Sequence, residues 1–122
     1  MRLYHYSNTD ISDFIKPDFY GSNYFTSNDV KITSIKRAFY YTRPEPEYLL
    51  RGCKFLYIVD YPDFRIYDIT RDYKDYLQGR TITEALYKIR QNYNGVRYRI
   101  GNLEIVNLFY KAKIIKREVD NG

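Results

Sequence analysis

Three residues of this 122-residue chain stand where chemistry could be done: its one histidine, its one cysteine and Glu104 in an apolar run. His5 sits in Leu3-Tyr4-His5-Tyr6-Ser7. A neutral imidazole offers one donor and one acceptor, so it can hold a ligand without titrating. A lone strand histidine is also often a satisfied structural residue, and both readings stand for His5. Cys53 with His5 would supply a thiol nucleophile and its base. Cys53, however, directly precedes an apolar strand and reads as a small buried hydrophobe. No Cys or Ser motif surrounds His5, which argues against a proton-shuttling triad. A single cysteine excludes an internal disulfide, and no Cys/His set matches zinc spacing, so no metal is expected. Neither GxGxxG nor GxxxxGK[ST] occurs, so no ordinary phosphate cradle is present.

The elements that must position these residues belong to one domain spanning 1–122. Hydrophobic residues make up 44% of the chain, enough for a core, and 16 Tyr and 7 Phe supply much of it. Tyrosine suits a small core and equally a groove that stacks flat rings. A formal charge of +5 favours an anionic partner, although Lys36-Arg37 and the 111–117 cluster are short and read as solvated faces. No signal-peptide core and no apolar run of membrane length is present, so a soluble, cytoplasmic protein without a membrane partner is expected.

Met1–Tyr6 reads as a short strand, followed by turn chemistry at Ser7-Asn8-Thr9-Asp10. Further breaks fall at Lys16-Pro17-Asp18 and Gly21-Ser22-Asn23, with a strand end at Tyr24-Phe25-Thr26. Ser34–Tyr41 reads as a helix, and two prolines fix a loop over 42–47. Lys54–Asp60 is apolar on both faces and predicts a strand inside a sheet. Arg65–Ile69 reads as a returning strand and Thr70–Leu77 as one or two helical turns. Thr81-Ile82-Thr83-Glu84 fits a capping box, after which Leu86, Ile89 and Tyr93 share a helical face up to Asn94-Gly95. Val96–Ile100 and Leu103–Phe109 form a hairpin about Gly101-Asn102, and Ala112–Val119 reads as a last strand before a frayed tail. The order predicts an α+β domain with a mostly antiparallel sheet.

The opening stretch gains meaning beside Gly21-Ser22-Asn23-Tyr24-Phe25-Thr26, Asn94-Gly95-Val96-Arg97-Tyr98 and Leu103–Phe109. Together they resemble small ADP-ribosyltransferase-like domains of the diphtheria-toxin and PARP type, many of them from phages and bacterial toxins. Such domains carry L-Y-H-G-[ST], then G-x-[FY]-F-[ST]-[TS], then a late G-[YF]-x-G-[IV]-x-Y with a carboxylate-bearing strand. The resemblance spans most of the chain. It implies a split, mostly antiparallel sheet with two or three helices, and NAD as substrate.

The resemblance also implies residue roles. His5 would hydrogen-bond the nicotinamide-side ribose of NAD, with Tyr6 beside it and Ser7 near the nicotinamide amide. Tyr24 and Phe25 would stack on nicotinamide, with Thr26 following. Arg37 and Tyr41 are counted with the NAD-binding residues, and Lys36 or Arg2 would also suit the pyrophosphate. Glu104 would hold the ribose and stabilise the positive charge that builds as nicotinamide leaves. Two departures stand out: position 6 is Tyr where many relatives carry Gly, and Glu104 stands alone on its strand, not in a Glu-x-Glu pair. By strand alternation Glu104 shares a face with Val106 and Leu108. It reads either as the catalytic carboxylate or as an edge residue facing water, with Glu45 and Glu47 as fallbacks.

Two functions are therefore expected. One is an NAD-dependent ADP-ribosyltransferase, a phage or toxin effector modifying a protein or nucleic-acid target. The other is a non-catalytic module of the same kind, or one that binds nucleic acid by stacking tyrosines and tracking phosphates.

Overall fold

The structure, a computed structural model, describes residues 1–18, 36–44, 53–68, 87–100 and 102–119. Among these residues eight strands form one sheet: β1 (Arg2–Ser7), β2 (Phe14–Ile15), β3 (Ala38–Tyr41), β4 (Phe55–Asp60), β5 (Ile66–Asp68), β6 (Gly95–Ile100), β7 (Leu103–Leu108) and β8 (Ala112–Val119). Their spatial order is β2-β8-β4-β1-β3-β7-β6-β5. Every neighbouring pair is antiparallel except β5 and β6.

This corrects the α+β expectation with two or three helices. Strands take 55% of the described residues. Helix among them is confined to residues 87–90 and a 3₁₀ turn at Asp63–Arg65. The Ser34–Tyr41 helix is the clearest reversal, because Ala38–Tyr41 is strand β3. Ala38 and Tyr40 are buried while Phe39 and Tyr41 are half-buried, a period of two that suits aromatic residues on a pleated surface. Pairing with β7 from Ala38↔Leu108 to Tyr41↔Ile105 overrides any local helical preference. The capping box, the turns at 70–77 and the strand end at 24–26 lie outside the described residues.

The apolar strand at 55–60 does lie inside the sheet, between β8 and β1. The 96–109 hairpin also forms, with Ile100 opposite Leu103. Register then sorts side chains onto two faces. One face gathers Leu3, Tyr40, Tyr57, Val59, Val106 and Leu108 into a core. The other gathers Ile89, Val96, Tyr98, Ile105 and Phe109.

One join in the sheet is weak. β1 pairs with β4 along its whole length, from Arg2↔Asp60 to Ser7↔Phe55. With β3 it is in register only at Tyr4↔Tyr41. Beyond that point the two strands part, and the site described next opens there.

Candidate functional site

His5 follows Tyr4 on β1, at the point where β3 moves away. Its Nδ1–H donates to the Phe39 carbonyl at 2.7 Å, taking up an acceptor on β3 with a side chain. A carbonyl only accepts, so this contact fixes the proton on Nδ1. The other nitrogen, Nε2, is then a lone-pair acceptor. Burial pushes the His5 pKa below its ordinary value of 6.5, against the opposing pull of the Phe39 bond and the Asp18 charge. The ring is neutral at pH 7, and its tautomer is set by β3.

Its orientation is fixed as well. His5 lies opposite Tyr57 on β4, with ring centroids 6.4 Å apart, and 5.4 Å from Tyr40 on β3. Both tyrosines are fully buried. Three rings thus cross β4, β1 and β3 on one face, and the imidazole is the half-buried middle one.

A cavity of about 600 Å³ opens beside this ladder. Its walls come from β1 (His5, Tyr6, Ser7), from the parted end of β3 (Ala38, Phe39) and from the segment after β1, including Thr9, Asp10, Phe14, Lys16 and Asp18. That segment is tied down by its own polar groups. The Tyr57 hydroxyl donates to the Thr9 carbonyl and accepts from the Ile11 N–H, each at 2.7 Å. Asn8 Oδ1 accepts from the Lys54 N–H at 2.9 Å, and Asp10 pairs with Arg117 on β8. At Asp13, with φ of 66°, the chain makes a three-residue turn, and Phe14 N–H reaches the Ser12 carbonyl at 2.8 Å. The walls are held by β4 and β8 rather than by their own sequence.

The volume falls within the range of roughly 300–1,000 Å³ usual for small-molecule sites. The chemistry is mixed: the Phe14 ring, hydroxyls from Ser7 and Thr9, the His5 ring and carboxylates at Asp10 and Asp18. Among the described residues of the wall Lys16 is the one cation. No group of three or more His, Cys, Asp or Glu among the described residues could hold a metal ion.

Of the residues singled out from sequence, His5, Tyr6 and Ser7 come together here. Tyr24, Phe25, Thr26, Glu45 and Glu47 lie outside the described residues. Tyr41 stands on the other face, its ring 5.8 Å from that of Tyr6. Arg37 is fully buried, its guanidinium 5.5 Å from the Phe39 ring, and burial lowers its pKa. Arg2 and Lys36 are exposed. Cys53 is half-buried and lines a separate cavity of about 140 Å³ with Tyr6 and Phe55.

Glu104 shares the His5 face, as alternation required. The strands between them put about 10 Å across the sheet, and a two-residue offset adds about 7 Å along it, hence about 12 Å in all. Its carboxylate accepts from Arg97 Nε and from Thr42 Oγ1, the latter at 3.2 Å, while Arg99 Nη2 stands 3.9 Å away. Burial works to raise the Glu104 pKa, but the Arg97 hydrogen bond and charge, Thr42 and Arg99 together hold it below the ordinary carboxylate value. It is neither water-facing nor free, because its side chain is 18% exposed and its oxygens are engaged.

Sequence reasoning passed over Tyr57, Tyr40 and Asp18. The signal available for Tyr57 was its place in an apolar strand, where a buried phenol must find a polar partner. The chain matches no protein-family model, no curated protein and no solved structure.

Proposed function

We propose that this domain is a nucleotide-binding module whose His5 cavity takes the nicotinamide-riboside half of NAD. The observation that carries the reading is the His5 tautomer. With Nδ1–H given to Phe39, Nε2 can only accept, and a ribose hydroxyl is a donor suited to it. Ser7 and Thr9 offer hydroxyls to an amide. Among the described wall residues, Asp18 beside His5 suits a pyridinium better than a phosphate. Glu104 is left out of the reading. It does not line the cavity, and Arg97 already neutralises the charge that ribosyl transfer would need.

Calorimetric titration with NAD and with nicotinamide riboside tests this. Both are expected to bind, and His5→Phe, which keeps a ring between Tyr40 and Tyr57, is expected to weaken binding at least tenfold. Binding is also expected to fall with acidity below pH 6.5, as protonation removes the Nε2 acceptor. No heat with either ligand, or unchanged affinity in His5→Phe, would overturn the reading. Nicotinamide release that Glu104→Gln abolishes would replace it with the transferase.

A further inference from the structure

A second feature runs from the helical turn at residues 87–90, past Tyr110 ahead of β8, to Phe14 on β2, which it shares with the His5 cavity. Three rings remain exposed there: Phe14 at 36%, Tyr110 at 42% and Tyr87 at 44%. Two of them carry a cation on the ring, Lys111 Nζ at 4.6 Å from the Phe14 centroid and Arg90 Cζ at 5.6 Å from that of Tyr110. The groups are contiguous. Lys111 follows Tyr110 in sequence, Lys113 stands opposite Phe14 across β2 and β8, and Tyr87 lies one helical turn before Arg90.

The charge of this strip is one-sided. Residues 87–93 and 109–113 hold Lys88, Arg90, Lys111 and Lys113 and no carboxylate. The acid beside Phe14 is Asp13, at its turn. Exposed rings interleaved with cations match a polymer that presents flat bases and a phosphate on every unit. An anionic membrane would want a longer apolar face. Duplex bases are stacked already and cannot be splayed onto side chains. We infer that this strip binds single-stranded nucleic acid, stacking bases on Tyr110 and Phe14 while Arg90, Lys111 and Lys113 meet phosphates.

The test is fluorescence anisotropy with a labelled single-stranded 12-mer, its duplex, and a matched strand of abasic units. The wild-type chain is expected to bind the single strand, and the duplex and abasic strands at least tenfold more weakly. Tyr110→Ala should weaken strand binding at least fivefold and Tyr110→Phe should restore it. Three cations on phosphates predict a log–log salt slope of about −2, which Lys111→Ala should reduce by about 0.7. His5→Phe should leave strand binding unchanged, which separates this surface from the cavity. Equal affinity for single, duplex and abasic strands would overturn the inference, as would no binding at 50 mM salt (on the order used for such titrations). Binding to vesicles of anionic lipid but not to the strand would give the strip to a membrane surface and would also overturn it.

Discussion

Replacing Glu104 by Gln is expected to unsettle the fold rather than the chemistry of the cavity. The substitution keeps the side chain's shape and removes its charge. What is lost is the ion pair with Arg97 and the charge-assisted bond from Thr42. The side chains are 18% and 32% exposed, so the pair lies between two regimes. Exposed pairs contribute about 0–1 kcal/mol, and breaking a buried one costs about 3–5 kcal/mol. An intermediate cost of about 1–2 kcal/mol follows, which moves the melting point of a domain this size by about 5–10 °C. The pH dependence has a definite sign. The Glu104 carboxyl is held below its ordinary value of 4.5 in the folded chain, so it stabilises the fold above that value. That contribution is lost as pH falls through the folded value, and wild type and Glu104→Gln should converge. Urea denaturation at pH 7 and pH 3.5, with Arg97→Met and the double variant, separates the pair from its surroundings. Equal stability of wild type and Glu104→Gln at pH 7 would refute the reasoning. So would a difference that persists undiminished at pH 3.5.

Two further substitutions probe the frame around the cavity. Gly95→Ala should cost about 2 kcal/mol or more, read as a lower urea midpoint, because an added Cβ would lie 2.5 Å from the Asn107 carbonyl oxygen and 2.7 Å from Leu108 Cδ2. Tyr57→Phe should cost about 1–2 kcal/mol and speed amide exchange at Ile11, since the phenol hydroxyl both donates to Thr9 and accepts from Ile11.

How much of this was legible depends on where each signal was held. The strand at 55–60, the 96–109 hairpin and the strand at 112–119 announce themselves by apolar pattern and turn residues. Ala38–Tyr41 does not, because the eight residues Ser34–Tyr41 carry a helical signal of their own and the pairing with β7 decides. The parallel pairing of β5 and β6 is likewise set by a long-range contact, Ile66↔Gly95, that no local pattern encodes. Glu104 is the instructive case. Its face was readable from alternation, and so was its neighbour. A two-residue loop fixes Ile100 opposite Leu103, hence Arg99 opposite Glu104 and Arg97 on the diagonal. Register alone predicts a carboxylate between two arginines, a poor place for a group meant to stabilise a cation. The His5 tautomer was beyond the sequence, since it rests on a carbonyl 34 positions away.

The two proposed sites meet at one side chain. Phe14 lines the His5 cavity and also carries Lys111 at the start of the cationic strip. It reaches that position through the turn at Asp13, whose carbonyl accepts from the Ile114 N–H at 2.9 Å and so pins the segment to β8. A strand tracked along Tyr110 and Phe14 therefore runs toward the opening that holds His5. The imidazole in that opening offers an acceptor, which a sugar hydroxyl can satisfy and a phosphate oxygen cannot. That acceptor is assigned to the ribose of NAD and not to the strand, so strand binding is expected to survive His5→Phe. Base stacking and phosphate contact thus fall to the strip and hydroxyl recognition to the cavity, with Phe14 common to both.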